Sequence, residues 1–396
     1  MRVLHILDHT RPIISGYSSR THYILSWQKS IGIHPTGLSS PLYNTDEDEK
    51  VIDGVRYLRC NSWSFSSKTK RLFYFYFFRK RIKKLLLQEK FDLLHAHSPS
   101  LCGISAILAK DKNIPFIYEV RAFWEDAAVD QGRIKEGSLK YKIYKRSEDF
   151  VLKRANAIVV ICKGLKEELV KRGFDEDKIF IVPNGIDLNM FDHKKVKEND
   201  LRKKLNISDE AVVGFIGSFY RFEGLDLLIR AVEDLNQIKL LLVGDGEKFL
   251  ELKKLVSKRG LGSKVIFTGR VPHQEVINYY SVMDLLVYPR KDERITRIVT
   301  PLKPLEAMAL GKVVIGSDVD GVKEIIGEGK EAGGILFKKE DVDDLKSKII
   351  MVLNNKNIKR YFEKKALERA KKRSWDKVIK RYLDVYEFAK RDKSKG

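Results

Sequence analysis

Short apolar runs rich in Val, Ile and Leu alternate along the whole chain with longer segments whose apolar positions recur at helical spacing. In the first half the runs at 3–7, 55–59, 93–96, 116–120, 157–161 and 179–182 read as strands, with helices at 21–31, 101–110 and 139–153. In the second half the strands fall at 212–216, 239–243, 265–268, 285–288, 313–316 and 334–337, with helices such as 225–235 and 249–259 between them. This alternation predicts an α/β protein in which each half forms one doubly wound parallel sheet. Pro183-Asn184-Gly185 is strong turn chemistry, and the polar segment 192–199 after it reads as a linker. The boundary is therefore expected near 190/191, giving domains 1–190 and 191–375. From 358 to 390 a nearly continuous helical pattern runs around Trp375. In such sheets ligands sit beyond the carboxyl ends of the strands, so the expected site is a cleft between the two domains.

Composition adds a strong cationic bias, 76 Lys+Arg against 54 Asp+Glu for a net charge of +22. Such a field attracts polyanions: phosphorylated substrates, anionic lipid headgroups or nucleic acid. A lysine-rich background is the plain alternative. No apolar stretch reaches the ~18 residues of a membrane span, and the amino terminus MRVLHILDHTRP reads as a first strand, not a signal peptide. Cys60, Cys102 and Cys162 have neither disulfide nor zinc spacing, and a cytoplasmic protein is expected.

The richest chemistry lies between Tyr288 and Asp318. A strand ends there in a loop with Arg290, Arg294 and Arg297, and a helix expected to begin near Pro301 carries Glu306 in its first turns and stops at Gly311. Free backbone N–H groups, a helix dipole and cations suit a phosphate, and the carboxylate suits sugar hydroxyls. Gly217-Ser218 with Arg221, Gly244, and Gly269-Arg270-Val271 follow three other strands of that half and allow close backbone approach to a nucleotide. Thr300 and Leu302, at the loop–helix junction, join the donor-binding set. In the first half Gly16 follows the first strand, and Arg121, Trp124, Glu125 and Asp126 follow the fourth, where an acceptor-side or catalytic loop belongs. His95 and His97 share one face of a strand and, without a third ligand in view, read as packed histidines; no metal site is expected. The absence of G-x-G-x-x-G after the first strand counts against a dinucleotide redox enzyme. The segment 68–84, KTKRLFYFYFFRKRIKK, suits either an interfacial helix on anionic lipid or a helix buried against the sheet, and no nucleic-acid module frames it.

These pieces resemble the retaining glycosyltransferases of family 4. The resemblance covers essentially the whole chain, through LLHAHSP (93–99), ANAIVVICKGLKEEL (155–169), VPNGID (182–187), GFIGSF (214–219), LLLVGDGE (240–247), FTGRVPHQEV (267–276) and PLKPLEAMALGKVVIGSDVDGVKEII (301–326). YEVRAFWEDAAVD (118–130) with GSFYRFEGLDLLI (217–229) looks like the branch tied to exopolysaccharide and exosortase-associated clusters. The resemblance implies a GT-B fold, two Rossmann-like domains facing across a cleft, with a C-terminal helix, 376–396, crossing back towards the first. It implies transfer of a sugar from a nucleotide-sugar donor with retention, no cofactor and no metal, to a lipid-linked or glycan acceptor at the inner face of the membrane. Glu306 would bind ribose, backbone at Leu302 and Lys303 the diphosphate, Val271 the base, and Gly16 would approach the phosphates. Three positions depart from the family pattern. Ile298 stands where a second glutamate is expected eight residues before Glu306, Ser218 and Glu223 replace the phosphate-binding Arg and Lys, and Arg121 replaces a histidine. Arg290, Arg294 and Lys303, with Arg221 beside them, are expected to compensate, since cations at developing charge are commonly the largest catalytic term. The alternative is a non-catalytic GT-B protein that binds a nucleotide and the membrane surface.

Overall fold

The structure, a computed structural model, describes residues 1–13, 15–43, 47–60, 73–111, 113–130, 132–194, 200–272 and 274–392. Parts of two expected segments, 68–72 and 195–199, lie outside these residues. The chain divides into two compact units, Met1–Asn184 with Trp375–Gly396, and Gly185–Ser374. The first crossing falls inside the Pro183-Asn184-Gly185 turn.

In the first unit the strands are β1 (Arg2–Leu7), β2 (His34–Ser39), β3 (Glu49–Ile52), β4 (Val55–Leu58), β5 (Leu93–His97), β6 (Phe116–Val120), β7 (Ala157–Val160) and β8 (Ile179–Ile181). They form one sheet in the order β3-β4-β2-β1-β5-β6-β7-β8. All pairs are parallel except the β3–β4 hairpin, turned at Asp53 and Gly54, both with positive φ. Central strands buried on both faces need continuous apolar runs, which is why β5, β6 and β7 were legible. β2 was not, because its sequence is HPTGLS. It is a strand by packing: a Cβ on Gly37 would lie 2.9 Å from the Tyr57 ring and 3.1 Å from Leu25, so only glycine lets β2 lie flat under the helix Gly16–Ser30.

The expected tail helix is broken at Ser374. Lys356–Lys372 packs on the second unit, while Trp375–Val378 and Arg381–Asp392 pack on the first, where Trp375, Ile379, Tyr382, Val385 and Tyr386 join the core with Val3, Ile24 and Leu93.

The second unit holds β9 (Ala211–Ile216), β10 (Ile238–Val243), β11 (Val265–Gly269), β12 (Leu285–Tyr288), β13 (Val313–Ser317) and β14 (Ile335–Phe337) in the wholly parallel order β11-β10-β9-β12-β13-β14. The order reverses between β9 and β12, the switch point at which open α/β sheets place ligands beyond the strand carboxyl ends. Two expectations change here. The arginine-rich stretch is not all loop, because Arg294–Ile298 forms a short helix closed by a reciprocal cap between Glu293 and Thr296. The helix that carries Glu306 runs Lys303–Ala309, two residues later than Pro301 suggested.

Candidate functional site

In the second unit glycines draw three loops together at the strand carboxyl ends. Gly244, at φ +140°, lies so close to the loop after β9 that a Cβ would sit 1.8 Å from Gly217 O. A Cβ on Gly224, at φ +70°, would sit 2.0 Å from Pro289 O, in the loop after β12. Beside this junction Glu223 and Arg290 form a buried bidentate pair, with Arg290 Nη2 and Nε donating to Glu223 Oε1 and Oε2 at 2.7 and 3.2 Å. Arg290, expected in a phosphate grip, thus has its charge matched by the carboxylate at the position where the family pattern has a lysine.

Arg221 pairs with Glu293 at 2.9 Å, and Ser218 is exposed. Arg294 is half-buried on its short helix. Thr300 is buried, and its Oγ1 has no hydrogen-bond partner among the described residues. An orphaned buried hydroxyl costs about 1–3 kcal/mol unless something outside the chain completes it. Val271 and Leu302 are half-buried.

Glu306 is held from two sides. Tyr280 OH donates to Oε2 at 3.0 Å, and Lys303 Nζ lies 3.1 and 3.0 Å from the two carboxylate oxygens. Tyr280 is fully buried, so it fixes the carboxylate's direction, whereas Lys303 is a third exposed and its pairing one turn away is worth about 0–1 kcal/mol. The lysine can therefore exchange Glu306 for an anionic ligand at small cost. Tyr280 was missed in the sequence because a tyrosine five residues before β12 reads as core.

The first-unit candidates are placed differently. Arg121, proposed as catalytic, is turned into the domain. Its Nε donates to Glu119 Oε1 at 3.0 Å, Nη1 to Tyr17 O and Thr21 Oγ1 at 2.9 Å each, and Nη2 to His97 Nδ1 at 2.7 Å. The Tyr17 ring lies 4.3 Å from the guanidinium. These contacts tie the start of the loop after β6 to β5 and to the helix Gly16–Ser30, a positioning role within the first unit.

Glu125 and Asp126, expected on the acceptor side, also point inward. Glu125 Oε1 accepts from Arg172 Nη1 at 2.9 Å and Asp126 Oδ1 accepts from Tyr141 OH at 3.0 Å. Burial raises the Glu125 carboxyl above its ordinary value and, with the nearby Glu125 charge, pushes buried Glu148 up to about 8. Trp124 stays half-buried at the head of the helix Trp124–Asp130. Gly16 opens the helix Gly16–Ser30, capped by Ser15, with nothing within 4 Å of where a Cβ would stand.

Below Arg121 lies a buried polar ring that the sequence showed only in part. His5 on β1 stands beside His95 on β5, adding the third histidine to His95 and His97. The donors order themselves. Arg121 forces His97 Nδ1 to accept, His97 Nε2 then donates to His5 Nδ1 at 2.9 Å, and His5 Nε2 donates to Gln28 Oε1 at 2.9 Å. Gln28 Nε2 donates to Tyr386 OH at 2.6 Å, and Tyr386 donates to His95 Nδ1 at 3.0 Å. His95 Nε2 faces Glu119 Oε2 at 3.5 Å, short of a formed hydrogen bond.

Burial pushes all three histidines below their ordinary value, those of His5 and His97 well below, so they are neutral. Burial would raise Glu119, but the Arg20 and Arg121 guanidiniums overcome it and keep the group well below the usual carboxylate range. These three histidines are a group that could hold a metal ion by proximity. However, two ligand nitrogens of one tetrahedral zinc stand roughly 3.3 Å apart for Zn–N of 2.0–2.1 Å, and Arg20 and Arg121 already outnumber the one carboxylate. The arrangement is that of a neutral hydrogen-bond network tying the C-terminal helix to β1, β5 and β6.

Comparison with known proteins gives two family matches. The model described as Glycosyltransferase Family 4 matches residues 15–190, and the model described as Glycosyl transferases group 1 matches residues 196–369. An uncharacterised glycosyltransferase of Methanocaldococcus jannaschii is 26% identical over 378 residues, 95% of each chain. Among solved structures, the sucrose-phosphate synthase of Thermosynechococcus elongatus superposes with a TM-score of 0.77 at 21% identity over 98% of both chains. Anabaena HepE, solved in complex with UDP-glucose, superposes with a TM-score of 0.72 at 16% identity over 98% of both. With the two parallel α/β units described above, these matches identify the chain as a glycosyltransferase family 4-like domain followed by a glycosyltransferase group 1 domain in the GT-B fold.

Proposed function

We propose that this GT-B glycosyltransferase moves a hexosyl or related sugar, with retention and without a metal, from a nucleotide-sugar donor to a lipid-linked or polysaccharide acceptor in exopolysaccharide or cell-envelope synthesis, acting as a peripheral protein at the inner face of the membrane. The observation that carries the donor half is Glu306, a carboxylate fixed by buried Tyr280 just beyond the switch point of the second sheet. Glu306 accepts hydrogen bonds from the ribose hydroxyls. Lys303, released from Glu306, moves to the diphosphate with Arg294, and the backbone at Leu302 and Lys303 supports it. Thr300 Oγ1 and the glycine-tightened loop at Ser218 and Gly244 line the same donor site, and Val271 packs on the base. HepE's complex with UDP-glucose supports a uridine nucleotide as the first donor to try.

The test is a nucleotide-sugar panel scored by thermal shift, since a ligand at 100 times its dissociation constant stabilises by about 2.7 kcal/mol. One donor is expected to raise the melting temperature of the wild type and not of Glu306→Ala. A panel in which no donor does so overturns the donor assignment. A second reading, nucleotide binding without transfer, is favoured by the pairing of Arg290 with Glu223, which takes one cation away from a leaving diphosphate. It predicts donor binding with no release of nucleoside diphosphate.

A further inference from the structure

The outer helical layer of the first unit presents a surface that neither the core nor the candidate site uses. Helices Tyr74–Gln88, Ser100–Ala109 and Leu139–Leu152 lie side by side. Arg79 Nε donates to Leu108 O at 2.9 Å across the first junction, and the Ser100 and Ser147 hydroxyls meet at 2.8 Å across the second. A Cβ on Gly103 would lie 2.4 Å from Val151, so glycine is what lets the second pair close.

The structure divides the aromatic run that the sequence left ambiguous. Tyr74, Phe78, Ile82 and Leu85 form the buried stripe of their helix. Phe73, Phe75 and Tyr76 remain outside it, Tyr76 59% exposed. On the third helix Leu139 is 74% and Ile143 53% exposed, and Leu101 and Leu108 are exposed on the middle one. Crossover helices run back against a parallel sheet, so their first turns lie at the strand carboxyl ends. Phe73, Phe75, Tyr76, Leu101, Leu139 and Ile143 therefore gather at the end of the sheet that carries the loop after β6.

The exposed charge on the two outer helices is dominated by one sign, although Glu136 is exposed just ahead of Leu139. The helix Tyr74–Gln88 has Arg79, Lys80, Arg81, Lys83 and Lys84 and no acidic residue. Leu139–Leu152 has Lys140, Lys142, Lys145 and Arg146, while its two acids turn away, Glu148 buried and Asp149 facing Arg172 at 4.0 Å.

We propose that this three-helix face docks on an anionic lipid bilayer, its aromatic and aliphatic ends in the headgroup layer and its lysines against lipid phosphates. The combination decides between polyanions. Nucleic acid offers phosphates to the lysines but nothing apolar to Leu139, Ile143 and Leu101, whereas a bilayer offers both. The proposal deepens the functional reading by placing the lipid beside the first unit's strand ends, and rests on it only for the purpose of the docking, not for the binding.

Co-sedimentation of the full chain with phosphatidylcholine vesicles, with and without phosphatidylglycerol, tests it. Binding is expected only to the anionic vesicles. Each juxtamembrane lysine contributes roughly five-fold to such binding, so Lys80→Glu with Lys83→Glu should weaken it at least ten-fold. Tyr76→Ser with Ile143→Ser should remove the part of the binding that survives high salt. Leu250→Ser, an exposed apolar position on the second unit, should change nothing. Absence of anionic preference, or wild-type binding by the Lys80/Lys83 variant, overturns the proposal. So does equal affinity for a single-stranded oligonucleotide with the same loss in that variant. Vesicle binding needs neither donor nor turnover, so its failure leaves the donor test standing, and failure of the donor test leaves this one standing.

Discussion

Arg290→Ala, Glu223→Ala and the double variant test whether this pair is structural or belongs to a phosphate site. Both side chains are about one-tenth exposed and joined by two hydrogen bonds at 2.7 and 3.2 Å. The pair fastens the loop after β12 to the short turn Arg221–Glu223 after β9. Truncating either partner leaves a buried charge without its counterion, which costs about 3–5 kcal/mol. Truncating both removes that penalty and leaves only lost packing, including the guanidinium 5.5 Å from the Phe222 ring. The double variant should therefore be no less stable than either single one, giving a coupling energy above about 2 kcal/mol. The assay is urea unfolding of all four proteins at neutral pH, followed through the transition of the second unit. The same proteins are then titrated with the donor found in the panel, and the double variant should stay within about three-fold of wild type, well short of one lost charged contact. Additive destabilisation would refute the buried-pair reasoning. A donor affinity more than about ten-fold lower in the double variant, with the second unit still folded, would return Arg290 to the phosphates.

Arg294→Ala should weaken donor binding by about ten-fold, as loss of one charge-assisted contact does, and unchanged affinity by calorimetry removes Arg294 from the phosphate set. Glu148 sits near 8 in the fold against an ordinary 4.5, so its contribution is full below pH 4.5 and is lost as the pH rises through 8. Glu148→Gln should abolish a slope of about 1.4 kcal/mol per pH unit over that window; parallel pH profiles for the two proteins would count against it. The histidines act in the opposite sense: held neutral, they favour the fold above their ordinary 6.5 and penalise it as the pH falls below. Measured in the Glu148→Gln background, stability should fall between pH 6.5 and 5 by up to about 1.4 kcal/mol per pH unit for each histidine, and a flat profile refutes the neutral ring. Gly244→Ala should cost roughly 2–4 kcal/mol through backbone strain and the clash with Gly217 O, and a melting temperature at the wild-type value would show that the loops can part.

The architecture was legible in the chain, because strands of a covered parallel sheet are short continuous apolar runs, and twelve of the fourteen described strands, all but β2 and β3, stand where such runs predict them. The sequence also located Glu306, since a lone carboxylate early in a helix after β12 is visible without coordinates. It could not deliver β2, whose polar HPTGLS becomes a strand only because Gly37 fits beneath Leu25 and Tyr57. Nor could it say which charges were available. Arg290 and Glu223 are 67 residues apart and Arg121 and Thr21 are 100 apart, and each pairing exists only once the sheets align. The polar ring from His5 to Tyr386 is the extreme case, closed by a C-terminal helix that packs back on the first strand's domain. Periodicity is local, so it survives in the sequence; the pairing and neutralisation of buried charge depend on distance in space and are settled only when remote segments fold together.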